Sequence, residues 1–131
     1  MALQVTLVTP DREVWAGPAA EVVARGTEGE VGILNGHAPL LIRLAIGALR
    51  IKDEGGAWHT AVVDGGFLHV TSAEGTTRVD VLATHAEMAD QIDVRAAESR
   101  VEELKAHLAK AEDMGARIEL AKALARVDIA R

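Results

Sequence analysis

Residues 57–71 read AWHTAVVDGGFLHVT, and this stretch decides the fold class that the sequence predicts. Two short apolar runs, 57–63 and 67–71, flank the tripeptide Asp64-Gly65-Gly66, which is typical of a turn because glycine tolerates positive φ. Neither run has the length or the periodicity of an amphipathic helix. The stretch therefore predicts two neighbouring strands of an antiparallel sheet, joined by a turn.

The same pattern of short strands and turn residues extends over the first two thirds of the chain. At its start, Leu3, Val5 and Leu7 alternate with polar residues, which is the period of a half-buried strand. Further strands are predicted at Glu13–Ala16, Glu21–Arg25, Val31–Leu34, Ala48–Lys52 and Thr77–Ala83. Strands this short, without intervening helices, favour an antiparallel β-sandwich or a flattened barrel. Its core must be aliphatic because aromatic residues make up only 2% of the chain, and the run Leu40-Leu41-Ile42 is expected to belong to it.

The composition changes near residue 86, where turn residues give way to good helix formers. Eleven of the twelve glycines and all three prolines lie before this point, and only Gly115 lies after it. An apolar seam typical of a helix runs through Val94, Ala97, Val101, Leu104, Leu108 and Ala111. A break at Asp113-Met114-Gly115 precedes a second helix from about Arg117, with Leu120, Leu124 and Val127 on one face. The sequence thus predicts an α+β fold, with a β-sandwich over residues 1–86 and an antiparallel two-helix hairpin over 87–131.

Composition and motifs argue against catalysis and against nucleic-acid binding. The formal net charge is −6, and the absence of cysteine excludes disulfides, thiolate zinc sites and cysteine nucleophiles. No run of about 18 apolar residues is present, and residues 1–6 lack the features of a signal peptide. Gly26, Gly29 and Gly32 lack dinucleotide-binding spacing, and the five histidines lack metal-ligand spacing. We therefore expect no catalytic residue, metal or cofactor, and a membrane role only through a partner.

Residues 26–41, GTEGEVGILNGHAPLL, carry a family resemblance. The segment resembles the epsilon subunit of bacterial F-type ATP synthases, whose members have the pattern G-x-x-G-E-x-G-I/V-x-x-G-H-x-P-L-L. The likeness continues through residues 8–17, 44–47 and 65–70, and it ends in the alanine-rich stretch 119–125. It covers essentially the whole chain in order, although the tail alone would be a weak indication.

The resemblance implies a non-catalytic rotor subunit of the proton-translocating synthase, peripheral at the cytoplasmic face of the cell membrane. In the family, the sandwich contacts the gamma subunit and the ring of c subunits. The helical tail either folds on the sandwich or extends towards the alpha and beta subunits of the catalytic head, where it inhibits ATP hydrolysis. Glu30 and His37 match positions that face the c ring and gamma. The alternative is that His37 packs its own turn and Glu30 is a surface charge.

Some members of this family bind ATP on the folded hairpin through the motif Ile/Leu-Asp-x-x-Arg-Ala and basic residues of the second helix. The matching residues here are Asp93, Arg95, Lys122 and Arg126. Arg95 comes one residue early, and one residue rotates a helical side chain by about 100°. We therefore expect ATP binding to be weak or absent, with Asp93 instead capping the helix and the basic residues solvated.

Gly115 supports two interpretations, since glycine costs roughly 1 kcal/mol in a helix interior relative to alanine. It is either a hinge between a folded and an extended tail, or the residue that ends the first helix of a permanently folded hairpin. The whole chain likewise has an alternative function, a free-standing β-sandwich binding module whose helical tail mediates dimerisation.

Overall fold

The computed structural model describes residues 2–130, and the fold class predicted from the sequence is confirmed. Its strands are β1 (Leu3–Val8), β2 (Glu13–Ala19), β3 (Glu21–Gly26), β4 (Gly29–Leu34), β5 (Leu40–Lys52), β6 (Trp58–Ala73), β7 (Thr76–Ala83) and β8 (Ala86–Met88). A 3₁₀ turn (Ala89–Gln91) leads to two helices, α1 (Val94–Leu108) and α2 (Met114–Ile129). Strands therefore give way to helices at residues 89–93.

The strands form one continuous sheet that folds over itself into two layers. The order is β2-β1-β7-β6-β5-β3-β4, with β8 added to β6, and every pairing is antiparallel except that of β1 with β7. The long strands β5 and β6 belong to both layers and pair with each other on both sides of a bend. Strand β6 pairs with β8 before the bend and with β7 after it, and β5 pairs with β3 over residues 44–52. Aliphatic side chains from both layers fill the space between them, as the low aromatic content requires.

The predicted turn at Asp64-Gly65-Gly66 is wrong, because β6 runs through it without interruption. Opposite it, β5 also continues, pairing Ile46 with Asp64 and Leu44 with Gly66. Gly65 and Gly66 have φ of +88° and +128°, and a Cβ on Gly66 would lie 2.1 Å from the carbonyl oxygen of Leu82. Glycine is needed here for a bend and a close strand approach, not for a chain reversal.

Two other glycine-containing segments do reverse the chain. Residues 26–29 join β3 to β4, and residues 53–57 join β5 to β6. In the second turn, the Asp53 carboxylate accepts a hydrogen bond of 2.9 Å from the Ala57 amide, and Gly56 has a φ of +94°.

Leu40-Leu41-Ile42, expected in the core, proves to be the start of β5. Leu40 and Ile42 pack against the core, whereas Leu41 is 65% exposed. The expectation is wrong for Leu41 because successive side chains of a strand point to opposite faces.

The two helices begin at aspartates that cap them. Asp93 accepts a hydrogen bond from the Ala96 amide at the start of α1, and Asp113 accepts one from Ala116 at the start of α2. Capping by Asp113 starts α2 at Met114, earlier than predicted, and places Gly115 in its first turn. Since α1 ends at Leu108, the interpretation of Gly115 as the end of the first helix is wrong.

The buried faces of the helices differ in part from the predicted ones. Ala97, Val101 and Leu104 of the predicted seam are buried, but the buried residues of α2 are Ala116 and Ala123, and Leu124 is exposed. The error at Leu124 arises because α2 lies against both α1 and the sheet, so its contact face is not a single stripe.

The hairpin packs on the outer surface of one layer through α2, which contacts β5 and β6. Val62 is fully buried although it points away from the core residues Ala61 and Val63. The helix therefore supplies the cover over this part of the sheet.

Candidate functional site

Arg126 of α2 joins the hairpin to the sandwich. Its Nη1 and Nη2 atoms each donate to one carboxylate oxygen of Asp64 at 2.9 Å, and its Nε donates to Glu87 Oε1 at 2.7 Å. Nη1 also donates to the backbone oxygen of Lys122 at 3.1 Å, which holds the guanidinium in place. We call the three side chains of Arg126, Asp64 and Glu87 the latch.

The latch is largely shielded from water, since the side chain of Asp64 is 5% exposed and that of Arg126 is 15% exposed. Burial alone would lower the pKa of Arg126, but the hydrogen bonds and charge of Asp64, and then of Glu87, raise that pKa above its ordinary value. A shielded carboxylate that loses its partner is strongly destabilising. The docked position of α2 therefore depends on Arg126.

A cavity of about 450 Å³ lies between the hairpin and the sandwich, beside the latch. Three of the four residues that match the family's ATP-binding positions, Asp93, Lys122 and Arg126, line it. Arg95 is exposed and is not among the lining residues, whereas Ala96, which stands where the family motif has arginine, is one of them.

The charged groups around this cavity already have partners within the chain. The Asp93 carboxylate caps α1, Lys122 Nζ lies 3.2 Å from Glu119 Oε1, and Arg126 is held by the latch. Arg100, which also lines the cavity, pairs with Glu103 on its own helix. An anionic ligand would have to compete with these carboxylates for each cation.

Sequence reasoning missed three residues of this region, namely Asp64, Glu87 and Arg100. The local sequence predicts a turn at Asp64, and its partner Arg126 is 62 positions away. The only local signal was an acidic residue directly before two glycines, which does not specify a contact with a distant helix.

Glu30 and His37 lie in different parts of the sandwich surface. Glu30, on β4, is exposed and pairs with Arg50 at 3.3 Å. His37 is half-buried, and its Nδ1 lies 2.7 Å from the Ala38 oxygen, in a turn where the Gly36 amide donates to Thr77 Oγ1 at 2.7 Å. No hydrogen bond or ion pair joins Glu30 to His37 in the described part of the chain.

Exposed apolar side chains cluster on the outer surface of the layer that the hairpin leaves uncovered. Leu41, Phe67 and Leu82 are 65%, 43% and 52% exposed, and we call them the apolar patch. Phe67 pairs across the sheet with Leu82, and the Arg43 guanidinium lies 5.8 Å from the Phe67 ring centre. Contiguous exposed apolar side chains mark interaction surfaces.

Glu30 is connected to this patch by a second cavity of about 300 Å³. Glu30, Leu41 and Arg43 all line it. A partner seated on the apolar patch would therefore come close to Glu30, whereas His37 does not line this cavity.

Two kinds of feature are absent from residues 2–130, the part of the chain that the structure describes. No helix among them is both long enough and apolar enough to cross a membrane. Nor does this part of the chain contain three or more histidine and carboxylate side chains placed to hold a metal ion.

Comparisons with known proteins all lead to the same family. Residues 2–89 match the family model described as "ATP synthase, Delta/Epsilon chain, beta-sandwich domain". The ATP synthase epsilon chain of Synechococcus sp. (strain JA-2-3B'a(2-13)) is 39% identical over 119 residues, which cover 91% of this chain and 83% of the relative. That of Streptomyces coelicolor is 43% identical over 103 residues, or 79% of this chain and 80% of the relative.

A solved structure extends the likeness to the whole fold. The present chain matches a chain in the cryo-EM structure of the Euglena gracilis mitochondrial ATP synthase, described as OSCP/F1/c-ring in rotational state 1. The TM-score is 0.78 at 31% identity, and the match covers 98% of this chain and 78% of that one.

Replacing Arg126 tests the latch directly. In an Arg126→Met variant the Asp64 carboxylate keeps its position but loses its partner, so we expect α2 docking to weaken by about 2 kcal/mol or more. Hydrogen exchange of the α2 amides should then be faster by about thirtyfold. The matched control is Arg117→Met, which breaks an exposed pair with Glu112 and should change exchange little. Equal effects of the two variants would contradict the importance of the latch.

Proposed function

Because the chain belongs to the delta/epsilon family of ATP synthase chains, we propose that it is the non-catalytic epsilon subunit of the central stalk of an F-type ATP synthase. It would turn with the rotor and couple rotation of the proton-driven c ring to ATP synthesis. The observation that carries this proposal is the family match over residues 2–89, together with relatives named epsilon chain that align over most of both lengths. Within the complex the subunit would lie peripherally, at the cytoplasmic face of the cell membrane.

The sandwich would hold the gamma subunit through the apolar patch. Leu41, Phe67 and Leu82 offer exposed apolar area that the hairpin does not cover, and the adjacent Arg43 supplies a charge at its rim. Torque requires a contact that does not slip, and an aromatic side chain seated in a partner's pocket is a common anchor of such contacts.

Glu30 and His37 would make the remaining contacts with the c ring and gamma. Glu30 is exposed, and its only ion pair among the described residues is the surface pair with Arg50, which is weak and easily exchanged. Its place beside the apolar patch puts a carboxylate within reach of a partner that covers Leu41.

The two helices would act as a brake on ATP hydrolysis when they leave the sandwich and reach the alpha and beta subunits of the catalytic head. In the docked state the latch holds α2 against the sheet. Opening would free Arg126 and the apolar residues of the helices for contacts with the head, and Gly115, in the first turn of α2, would lower the cost of bending there.

Charge introduced into the apolar patch should weaken gamma binding. For Phe67→Asp or Leu41→Asp we expect a loss of about 2 kcal/mol or more, which is about thirtyfold in Kd for purified gamma, measured by calorimetry or biolayer interferometry. The matched control is Trp58→Asp, since Trp58 is 48% exposed but lies at the opposite end of β6 from Phe67, before the bend. The proposal fails if the chain shows no affinity for gamma and elutes as a stable homodimer, which would favour the free-standing binding module.

Removal of the helices should release the brake. A chain ending after Asp90, which keeps β8, should assemble with the synthase and raise its rate of ATP hydrolysis several-fold relative to the full-length subunit. Hydrolysis is measured on the reconstituted complex, with the assembled subunit quantified by gel. Unchanged hydrolysis at equal incorporation would remove inhibition from the proposed function.

ATP should bind the isolated chain weakly or not at all, because the cations of the cavity are already paired. Calorimetric titration with ATP is therefore expected to give little heat. The double variant Arg95→Ala with Ala96→Arg restores the arginine of the family motif at a position that lines the cavity, and it should bind more tightly. Micromolar affinity of the unaltered chain would show that Arg95 reaches the nucleotide after all.

A further inference from the structure

One side of α2 carries exposed side chains at the spacing of a coiled-coil seam. Four of them follow one another at steps of four, three and four residues, and we call them the outer stripe: Arg117, Ala121, Leu124 and Asp128. Leu124 is 43% exposed, whereas the buried residues Ala116 and Ala123 lie on another side of the helix. The sandwich and α1 therefore leave the outer stripe uncovered.

The outer stripe is complementary to itself. It begins with a cation and ends with an anion about 16 Å further along the helix axis, with one small and one large apolar side chain between them. If two copies of α2 pair antiparallel about the midpoint of the stripe, Arg117 of each copy faces Asp128 of the other. Ala121 of each copy then faces Leu124 of the other. Opposite charges meet at both ends, and a large side chain packs over a small one at the centre.

The same charges disfavour the parallel arrangement, in which Arg117 would face Arg117 and Asp128 would face Asp128. Both groups are available for a partner. Arg117 pairs with Glu112 in its own chain, but the two side chains are 60% and 70% exposed, and such a pair contributes little. Among the described residues 2–130, Asp128 takes part in no ion pair. The charges thus select an antiparallel partner with the same sequence.

A groove of about 520 Å³ adds apolar surface beside the outer stripe. Ala121, Leu124 and Asp128 line it together with Ile46 and Ala48 of β5. A leucine from a second copy, placed opposite Ala121, would enter at the edge of this groove. Its burial would therefore involve the sheet as well as the helix.

We propose that the free chain forms a weak twofold dimer through the outer stripes of two α2 helices. The contact is only three turns long, well below the size of a standard interface, so we expect the dimer to be populated only above about 0.1 mM. It leaves the apolar patch uncovered, so the chain keeps its affinity for gamma. This separates the weak dimer from the stable homodimer of the alternative function.

Sedimentation equilibrium of the free full-length chain tests the dimer between about 10 μM and 1 mM at low ionic strength. The average mass should rise from that of the monomer towards that of the dimer. Leu124→Gln should weaken association by about tenfold or more. The matched control is Ile118→Gln, since Ile118 is 46% exposed on a different side of α2 and should contribute little. A chain that stays monomeric at about 1 mM, or equal effects of the two variants, would overturn the proposal.

A charge swap tests the antiparallel register. Arg117→Glu and Asp128→Arg each place like charges together at both ends of the interface, so each should weaken association by about tenfold. The double variant restores opposite charges in exchanged positions and should recover the original Kd. Each change suits the helix dipole, and the melting temperature checks that the variants stay folded. Failure of the double variant to recover would contradict the register. Gamma binding by the same variants should be unchanged, so loss of the dimer and loss of the proposed function are distinguishable.

Discussion

The latch formed by Arg126, Asp64 and Glu87 is the contact on which docking of the helices to the sandwich depends. The buried residues of α2 are two alanines, which contribute little apolar area, so helix packing alone is a modest source of docking free energy. The shielded carboxylate of Asp64 favours the docked helix only while Arg126 is present. If α2 leaves the sheet, as we propose, water can solvate all three charges, so a contact that is strong in the docked state can still be reversible.

The bend at Gly65-Gly66 positions this cluster. Before the bend, Val62 and Asp64 lie beneath α2, and after it, Phe67 lies in the apolar patch on the outer surface of the other layer. A single strand thus carries the anchor for the tail and part of the surface proposed for gamma. The close approach of Gly66 to Leu82 leaves no space for a side chain, so the bend requires glycine. Any change in the angle at this point would move both surfaces relative to each other.

The division of the surface fits a subunit placed between larger partners. One outer face of the sandwich is covered by the subunit's own helices, and the other presents apolar side chains with Glu30 at its margin. The proposed gamma contact can therefore persist while the tail moves. The cavity between the tail and the sandwich is lined by charges that are already paired, so tail docking in this chain relies on its own carboxylates.

Local patterns in the amino-acid sequence are enough to predict most of the strands, the two helices and the family, since alternation, the placement of glycine and proline, and the segment 26–41 need no knowledge of distant contacts. They do not determine whether Asp64-Gly65-Gly66 turns or bends, because that depends on β5 continuing along the opposite side. The prediction that Leu41 belongs to the core is wrong for a related reason, because an apolar run does not show which of its side chains point inward. Only the tertiary structure brought Arg126 to Asp64 and Glu87, as pairings across 62 and 39 positions arise from packing and leave no periodic trace in the sequence.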